Sequence, residues 1–472
     1  MDLVRLFAGL LLPWLLGVSA LLVLRSDRRP LAAPGEFAWL AGAGYLAGAI
    51  LLTLWMRALS LAGVRFGVLP IALPLLVLSA GFACIAWRRF KSELTAAPAA
   101  ATRALVASPG LTGAWRVLWW IAIAWISLRF ALLALEVGSR PLYPWDAWIQ
   151  WATKARVWYE MGRIVPFARV EQWFAANGSL YFDASPEYPP TMPLLQVWSC
   201  LLLGRWDDTL MNWPWWQIGV ALTLLVYGAL RQLELDAMSA LAGALIVASL
   251  PLANVHVALA GYADLPMAAY YTCAALALLR WSVTRDARDA GLALLMALAC
   301  TQIKNPGVAW ALTLLPGAVV ALSPRHSPKI IAIGFAAIVL LLGVLMQTQP
   351  IIFNYRLHLD FDLAWRALAE SYFLYGNWNL LWYGALMAAI LAGQRLLAPP
   401  LAALTTVVAC GLLFLFVVFG FSDARAWVTD QTTVNRATLH LAPLLAVFMV
   451  LAFRAFAARW RETRSAQASF AS

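Results

Sequence analysis

The sequence predicts an all-α integral membrane protein that crosses the bilayer with about 13 helices. Of its 472 residues, 63% are hydrophobic and only 12% are charged, and the mean hydropathy is +0.76. A typical soluble domain carries about 25% charged residues, so this chain has too few polar groups to cover itself in water. Its long apolar runs fit this fold class, because about 20 apolar residues span the hydrocarbon core as a helix.

The apolar runs give the predicted helices in chain order. Two later runs, 290–303 and 306–322, are short and meet at Lys304, which predicts a helical hairpin with a polar tip. A further apolar stretch at 191–203 either crosses the membrane or lies on its surface. The predicted membrane helices are 4–24, 36–57, 66–87, 115–137, 212–230, 237–258, 265–281, 290–303, 306–322, 330–347, 378–394, 400–420 and 438–456.

Basic residues orient these helices, because Lys and Arg concentrate in cytoplasmic loops. The basic clusters are Arg25, Arg28 and Arg29, then 88–116, and then 454–464. If all three are cytoplasmic, the chain crosses an even number of times between the last two, which requires that 191–203 does not cross. The N-terminus and the loop 138–211 are then outside, and the C-terminus is inside. The other loops predicted outside are 259–264, the tip at Lys304, 348–377 and 421–437.

The chain is predicted to have three parts, of which composition separates only the first from the rest. A stretch rich in Ala, Ser, Thr, Pro and Gly at 92–112 predicts a linker. It separates an N-terminal three-helix extension, residues 1–100, from a membrane core at 112–345 that contains the outer loop. The remaining helices form a C-terminal part at 346–472.

Charge and cysteine content exclude other classes of protein. The net charge of +11 comes mainly from loop residues that orient helices, and no basic stripe with aromatics indicates nucleic-acid binding. The five cysteines lie in apolar segments without a CxxC pair, so they predict small buried side chains rather than a metal site or a disulfide framework.

The segment 143–162 directly follows the fourth predicted helix and is rich in tryptophan. Asp146 stands at a helix start, and Gly162 is a typical helix stop. Four side chains on similar faces predict a helix lying in the membrane interface, namely Trp148, Trp151, Ala155 and Trp158. This helix would hold the Asp146 carboxylate at headgroup depth, with Lys154 and Arg156 nearby. Capping of its own helix is the equally open alternative for Asp146.

Three further segments carry candidate groups on the predicted outer side. Tyr188, Pro189 and Pro190 precede an apolar run, where prolines fix the direction of the chain. Asp264 precedes a proline-started helix, which it either caps or equips with a functional acid at the membrane boundary. Lys304 either binds a phosphate or extends its amine toward water from the membrane.

In chain order, these segments resemble the GT-C class of membrane glycosyltransferases, which includes protein O-mannosyltransferases and bacterial enzymes that add sugars to lipid A or other envelope acceptors. The resemblance covers about residues 115–345 and rests on motif order. The segments that carry it are Asp146 to Gly162, Tyr188-Pro189-Pro190 to Leu195, Tyr262-Ala263-Asp264-Leu265-Pro266, and Lys304 to Gly307. Many relatives carry two adjacent acids in the first loop, whereas here Ala147 follows Asp146.

The resemblance implies a GT-C-like fold and a transferase whose donor is a sugar on a polyprenyl phosphate or diphosphate. The acceptor would be a hydroxyl of a lipid, glycan or protein, activated by Asp146 as general base with Asp264 in support. Cations would offset charge on the leaving phosphate; the candidates are Lys304, Lys154, Arg156 and Arg436, in that order.

The remaining expectations concern the groove, the cofactor and the location. Trp145, Tyr188 and Tyr262 are the aromatic candidates for a substrate groove. The sequence requires no cofactor, and a divalent cation is left open. The resemblance places the protein in a bacterial inner membrane, in contact with its lipids and with the active site on the periplasmic side.

Three alternatives stay open. A transporter or flippase is expected to show repeats and broken helices near the bilayer midplane, and the sequence shows no repeat. A polysaccharide ligase or polymerase would use outer arginines and a histidine, for which the candidates are Arg356, His358, Arg366, Arg436 and His440. A non-catalytic relative would keep the fold without activity.

Overall fold

The computed structural model describes residues 2–25, 30–106, 110–352, 355–361 and 364–471. Over these residues the protein is nearly all-α, with 78% helix and a single two-stranded hairpin. The all-α prediction is therefore confirmed. Arg28 and Arg29 of the first predicted cytoplasmic cluster lie outside the described residues.

The described residues form α-helices along most of the chain. They are α1 (Asp2–Leu10), α2 (Leu12–Leu24), α3 (Glu36–Leu61), α4 (Val68–Val106), α5 (Gly113–Ser139), α6 (Thr153–Met161), α7 (Val170–Ala175), α8 (Thr191–Leu203), α9 (Trp213–Gln232), α10 (Ala237–Ala248), α11 (Pro251–Ala258), α12 (Asp264–Thr284), α13 (Ala287–Cys300), α14 (Gly307–Leu322), α15 (Ser327–Thr348), α16 (Trp365–Ala369), α17 (Leu381–Ala392), α18 (Leu401–Gly420), α19 (Thr432–Leu439) and α20 (Ala442–Ala471). The hairpin strands are β1 (Ile351–Ile352) and β2 (Tyr355–Arg356).

Among the described residues, seven helices are long and apolar enough to cross a membrane, or eight if α10 and α11, which are bent by 56°, form one span. Three of them are mostly exposed over their most apolar window. Only 17% of that window is buried in Val68–Ala96 and in Gly113–Ser139, and 6% in Pro324–Thr348. Long apolar surfaces of this kind need lipid around them, so these helices indicate an integral membrane protein.

Several predicted spans form helices shorter than a bilayer. The apolar stretch at 191–203 becomes α8, whose 13 residues extend about 20 Å, less than the roughly 30 Å of the hydrocarbon core. Nearly all of its side chains are buried in protein, which agrees with a segment that does not cross. With 14 residues in α13 and 12 in α17, helix length supports fewer crossings than the predicted number of about 13.

The chain forms two compact units. Unit 1 is Met1–Ser249, Ala253–Cys273 and Ala299–Asn305, and unit 2 is Leu250–Leu252, Ala274–Leu298 and Pro306–Ser472. The N-terminal helices thus belong to the same unit as the outer loop. The structure also differs from the linker predicted at 92–112. After a non-helical residue at Phe90 (φ −127°, ψ 29°), α4 continues as a helix through 92–106. Its many alanines favour helix, which explains the difference.

In unit 1, α3 packs against both α2 and α9. Glycines allow the close approach of α2 and α3, since a Cβ atom at Gly17 would collide with the backbone of Gly44. Farther along the chain, the Tyr270 hydroxyl donates a hydrogen bond to the Leu46 carbonyl, 2.8 Å away. These contacts make α3 a well-held central helix of unit 1.

The loop after α5 begins with a π-helical turn, Ala147–Ala152, and continues into α6. Gly162 ends α6 in the left-handed conformation (φ 64°), which confirms the predicted stop. The face predicted to lie in the membrane interface is instead packed inside the protein, next to α8. Trp151, Ala155 and Trp158 are buried, and only Trp148 is exposed. The interfacial prediction is wrong for this face because other parts of the protein cover it.

Unit 2 contains two closely packed helix pairs, α14 with α18 and α17 with α20. Small side chains, among them Ala321, Ala402 and Ala403, form one of its buried clusters. The two helices of the predicted hairpin are present as α13 and α14.

Candidate functional site

The first contact at the site joins the Asp146 turn to the segment before Asp264. Gly261 has a φ of +110°, and a Cβ atom there would lie 2.6 Å from Ala147 Cβ and 2.8 Å from Leu142 Cδ1. Only glycine fits this position, because the backbone conformation and the close approach both exclude a side chain. Asp146 is half-buried directly beside this contact, and its side chain does not cap the following helix.

A buried ion pair joins α12 to the segment between α13 and α14. Lys304 Nζ lies 2.7 Å from Asp264 Oδ1, and the two side chains are 12% and 0% exposed. A carboxylate this deeply buried needs a counter-charge, and Lys304 provides it. The pair brings together two groups that lie 40 residues apart in the sequence.

The proline-rich segment reaches the same unit through two contacts. The rings of Tyr188 and Trp151 stack with centroids 5.0 Å apart and an interplanar angle of 9°. At the start of α8, Thr191 Oγ1 accepts a hydrogen bond of 2.9 Å from Arg57, which also donates one of 2.6 Å to Gln302 Oε1. All four predicted segments are thus linked by direct contacts within unit 1.

Lys154 is buried in the loop. Its Nζ lies 3.2 Å from Asp183 Oδ1 and donates to the Ser185 carbonyl at 2.5 Å. Burial lowers the pKa of the Lys154 ammonium and raises the pKa of the Asp183 carboxyl, and each charge opposes the shift of its partner. Lys154 therefore has a structural role in the loop, and its predicted contact with a donor phosphate stays a prediction.

Arg156 lies on the other side of α6, exposed to solvent. Its guanidinium pairs with Glu160 at 2.8 Å and lies over the Trp206 ring, 5.1 Å from the centroid. Both contacts are at the surface, so Arg156 can turn toward a ligand at little cost.

The predicted aromatic groove residues differ in exposure. Trp145 is 68% exposed and meets Trp148 edge to face, with centroids 5.7 Å apart. Tyr262 is half-buried: its ring lies 5.2 Å from that of His256, and its carbonyl accepts a hydrogen bond of 2.6 Å from Trp215 Nε1. Trp145 is therefore available to a ligand, whereas Tyr262 also fixes the loop before Asp264.

A small, partly open pocket lies beside the Asp146 turn in unit 1. Its lining comes from the end of α5, the turn before Asp146 and the segment after α11, and includes Arg140, Leu142, Pro144 and Leu259. Its accessible lining is more polar than apolar, and Tyr143 and Asn212 also contribute to it.

Arg436 belongs to unit 2, where it lies in α19. Burial raises the pKa of the Tyr355 hydroxyl, and the charge of Arg436 opposes that shift. In the same unit His358 Nε2 lies 3.7 Å from Asp423 Oδ1, Arg366 pairs with Glu370, and the His440 ring packs against Trp310.

Two residues of the candidate site, Arg57 and Asp183, are not predicted from the sequence. Arg57 carried a usable signal, since a charge at the end of an apolar run is expected to face protein or water. The sequence around Asp183 gives no such signal, because an acidic residue in a long polar loop is usually solvated. Over the described part of the chain, no group of three or more His, Cys, Asp or Glu side chains is placed to hold a metal ion.

No family model, curated protein or solved structure matches this chain. The function therefore has to be argued from the chemistry of the site.

Proposed function

We propose that this protein is a membrane glycosyltransferase that moves a sugar from a polyprenyl-phosphate donor to an acceptor hydroxyl of the cell envelope. The observation that carries the proposal is the linkage of the Asp146 turn, the buried Asp264–Lys304 pair and the proline-rich segment in one unit. The carboxylate of the Asp146 turn, and a cation held by a second carboxylate, are the two kinds of charge that the transfer needs.

In the proposed reaction, Asp146 takes the proton of the acceptor hydroxyl as its oxygen bonds to the anomeric carbon of the sugar. The bond from that carbon to the phosphate oxygen breaks at the same time, and the phosphate leaves with the bonding electrons. Lys304 offsets the negative charge that develops on this phosphate. Asp264 positions Lys304, since its carboxylate already holds the ammonium at 2.7 Å.

The other predicted residues have supporting roles in this proposal. Trp145 and Tyr188 line the groove for sugar or lipid, and Tyr262 fixes the loop before Asp264. Arg156 is a further candidate for contact with the phosphate, and the predicted phosphate contact of Arg436 stays a prediction.

The proposed site faces the periplasm of a bacterial inner membrane. About 13 helices cross the membrane in this proposal: the seven or eight that length and apolarity support, together with α9, α12 and the shorter α13, α14 and α17. One observation supports this orientation in the membrane: loops that the basic residues predict on the same side of the membrane contact each other. Arg25 pairs with Glu93 between two loops predicted inside, and Gly261 meets Ala147 between two predicted outside.

The test compares sugar transfer by membranes that contain wild type or Asp146→Asn at matched protein levels. The labelled donor is a pool of polyprenyl-phosphate sugars, and endogenous acceptors are followed. We expect Asp146→Asn to lose about 100-fold or more, because the amide keeps the shape but cannot take a proton. Glu171→Gln in α7 is the matched control, since it makes the same change at an exposed site of the same loop. Equal transfer by wild type and Asp146→Asn would refute the general base.

A polysaccharide ligase or polymerase is the second candidate, favoured by the placement of His358 near Asp423 in unit 2. In the same assay this candidate predicts that His358→Asn, rather than Asp146→Asn, abolishes transfer. A lipid-linked sugar transporter is favoured by one feature, the 56° break between α10 and α11. It predicts donor movement across vesicles without transfer.

A further inference from the structure

The end of α3 contacts three separate segments of the candidate site. Arg57 Nη1 donates to Gln302 Oε1 at 2.6 Å, and Arg57 Nη2 donates to Thr191 Oγ1 at 2.9 Å. Gln302 lies two residues before Lys304, and Thr191 is the first residue of α8. One guanidinium thus joins the Lys304 segment to the proline-rich segment.

The residues that follow Arg57 hold the end of the tryptophan-rich segment. Ser60 Oγ accepts a hydrogen bond of 3.0 Å from the backbone N–H of Ile164. The Phe66 N–H donates to the Gly162 carbonyl at 2.6 Å. Because α3 is packed against α2 and α9, these bonds tie the three segments to a rigid helix.

Arg57 is chemically suited to such a bridge. Its planar guanidinium presents several donors in a fixed fork and can serve two acceptors at once, whereas a lysine ammonium is a point charge on a flexible stem. Both acceptors are neutral, and within the described residues Arg57 forms no ion pair. Thr191 is fully buried, so the bond to it is shielded from water.

We propose that Arg57 is a positioning residue, which holds the segment 301–305 against the start of α8 and so sets the place of Lys304. This proposal rests on the proposed transfer for its catalytic consequence, whereas the bridge itself can be measured without any activity. It gives the N-terminal helices a role in the site that motif order did not suggest.

The first readout is hydrogen–deuterium exchange of the full-length protein in detergent. We expect Arg57→Met to speed exchange about 10-fold or more in peptides covering 301–305 and 191–195, because it removes two charge-assisted hydrogen bonds. In these peptides the N–H groups of Gln302 and Leu194 are bonded within the chain and report local opening. Arg65→Met is the control: it makes the same change at an exposed site after the same helix and should leave both peptides unchanged. Unchanged exchange in Arg57→Met would overturn the bridge.

Two further variants keep this test decisive. Thr191→Val removes one acceptor and leaves the guanidinium, so it should speed exchange near 191 even if Arg57→Met does not accumulate. Arg57→Lys keeps the positive charge but loses the planar fork of donors. Its exchange rate should therefore lie between those of wild type and Arg57→Met. Exchange identical to wild type in Arg57→Lys would show that only a positive charge is needed, against the bridge.

The second readout separates positioning from binding. Since Lys304 acts on charge that develops during transfer, Arg57→Met should lower kcat about 10-fold or more with little change in the donor KM. A rise in KM alone would mean that Arg57 binds the donor directly, which overturns the positioning role. If wild type transfers no sugar, the proposed function fails, and the exchange data still decide the bridge.

Discussion

At the scale of single residues, the ion pair between Asp264 and Lys304 is one of two deeply buried ion pairs described in unit 1, the other being Lys154 with Asp183. Asp264 is fully buried and Lys304 nearly so. Two buried charges of opposite sign stabilise each other, because either charge alone would lose its hydration without compensation. This coupling makes Asp264 a poor proton acceptor for a substrate, and it leaves Asp146 as the better candidate for the general base.

This coupling predicts a specific pattern of stability. Lys304→Met should destabilise the protein by about 3–5 kcal/mol, because a buried carboxylate is left without its partner. The double variant Lys304→Met with Asp264→Leu should recover much of that loss, since it removes both charges. Thermal unfolding in detergent measures the effect, and Lys329→Met, at the first turn of the largely exposed α15, is the control. A double variant less stable than Lys304→Met would contradict the coupling.

Lys154 shows how a residue can be recognised in sequence and yet be placed differently. As one of two basic residues that follow Asp146, Lys154 is predicted from the sequence to bind the donor phosphate. The structure gives it Asp183 and the Ser185 carbonyl as partners in a buried pocket of the loop. Both partners come from a stretch with no periodic pattern, so no sequence signal could have paired them with Lys154.

At the scale of elements, the contact between the Asp146 turn and the 261–264 segment depends on glycine. Gly261→Ala should destabilise unit 1 by about 1–3 kcal/mol and lower transfer, because alanine is strained at this φ and its Cβ would meet Ala147. Unfolding temperature and transfer rate in the same preparation measure both effects.

The control for Gly261→Ala is Gly334→Ala in α15. A Cβ atom at Gly334 meets nothing within 4 Å, so alanine there should be neutral or slightly stabilising in a helix. If Gly261→Ala behaves like Gly334→Ala, the close approach of the two segments is not essential to the site.

At the scale of the whole molecule, the topology is defined by the number and direction of the membrane crossings. Within the described residues, seven helices, or eight with the bent pair, are long and apolar enough to cross a membrane. Five others, α9, α12 and the shorter α13, α14 and α17, decide whether the number rises to about 13. Short helices can lie within the bilayer where surrounding protein supplies the remaining thickness. The basic clusters predict the direction.

Cysteine labelling tests this topology in intact cells. With the five natural cysteines replaced, Glu171→Cys in α7 should react with a membrane-impermeant maleimide from outside, whereas Arg288→Cys in α13 should react only after the membrane is opened. The reason is that the positive-inside rule places 138–211 outside and the segment before 290 inside. Labelling of both in detergent is the control. Reversed labelling would place the site on the cytoplasmic side.

The sequence by itself determined the class of the protein. Apolar content and run length require lipid and helices, because a backbone in hydrocarbon has to satisfy its own hydrogen bonds. Local chemistry also placed the helix stop at Gly162 and singled out Asp146, Asp264 and Lys304. Each of these signals lies within a few residues of the position that it marks, which is the range that local patterns can report.

Only the tertiary structure decided which of these groups meet. The pairing of Lys304 with Asp264, the burial of Lys154 on Asp183 and the bridge made by Arg57 join residues 40, 29 and 245 positions apart. Periodicity and motif order carry no information about such pairs, since each depends on how helices from distant parts of the chain pack. The same packing buries the face of the tryptophan-rich segment that is predicted to lie in the membrane interface. The physical reason is that burial against α8 removes its apolar side chains from water as fully as lipid would.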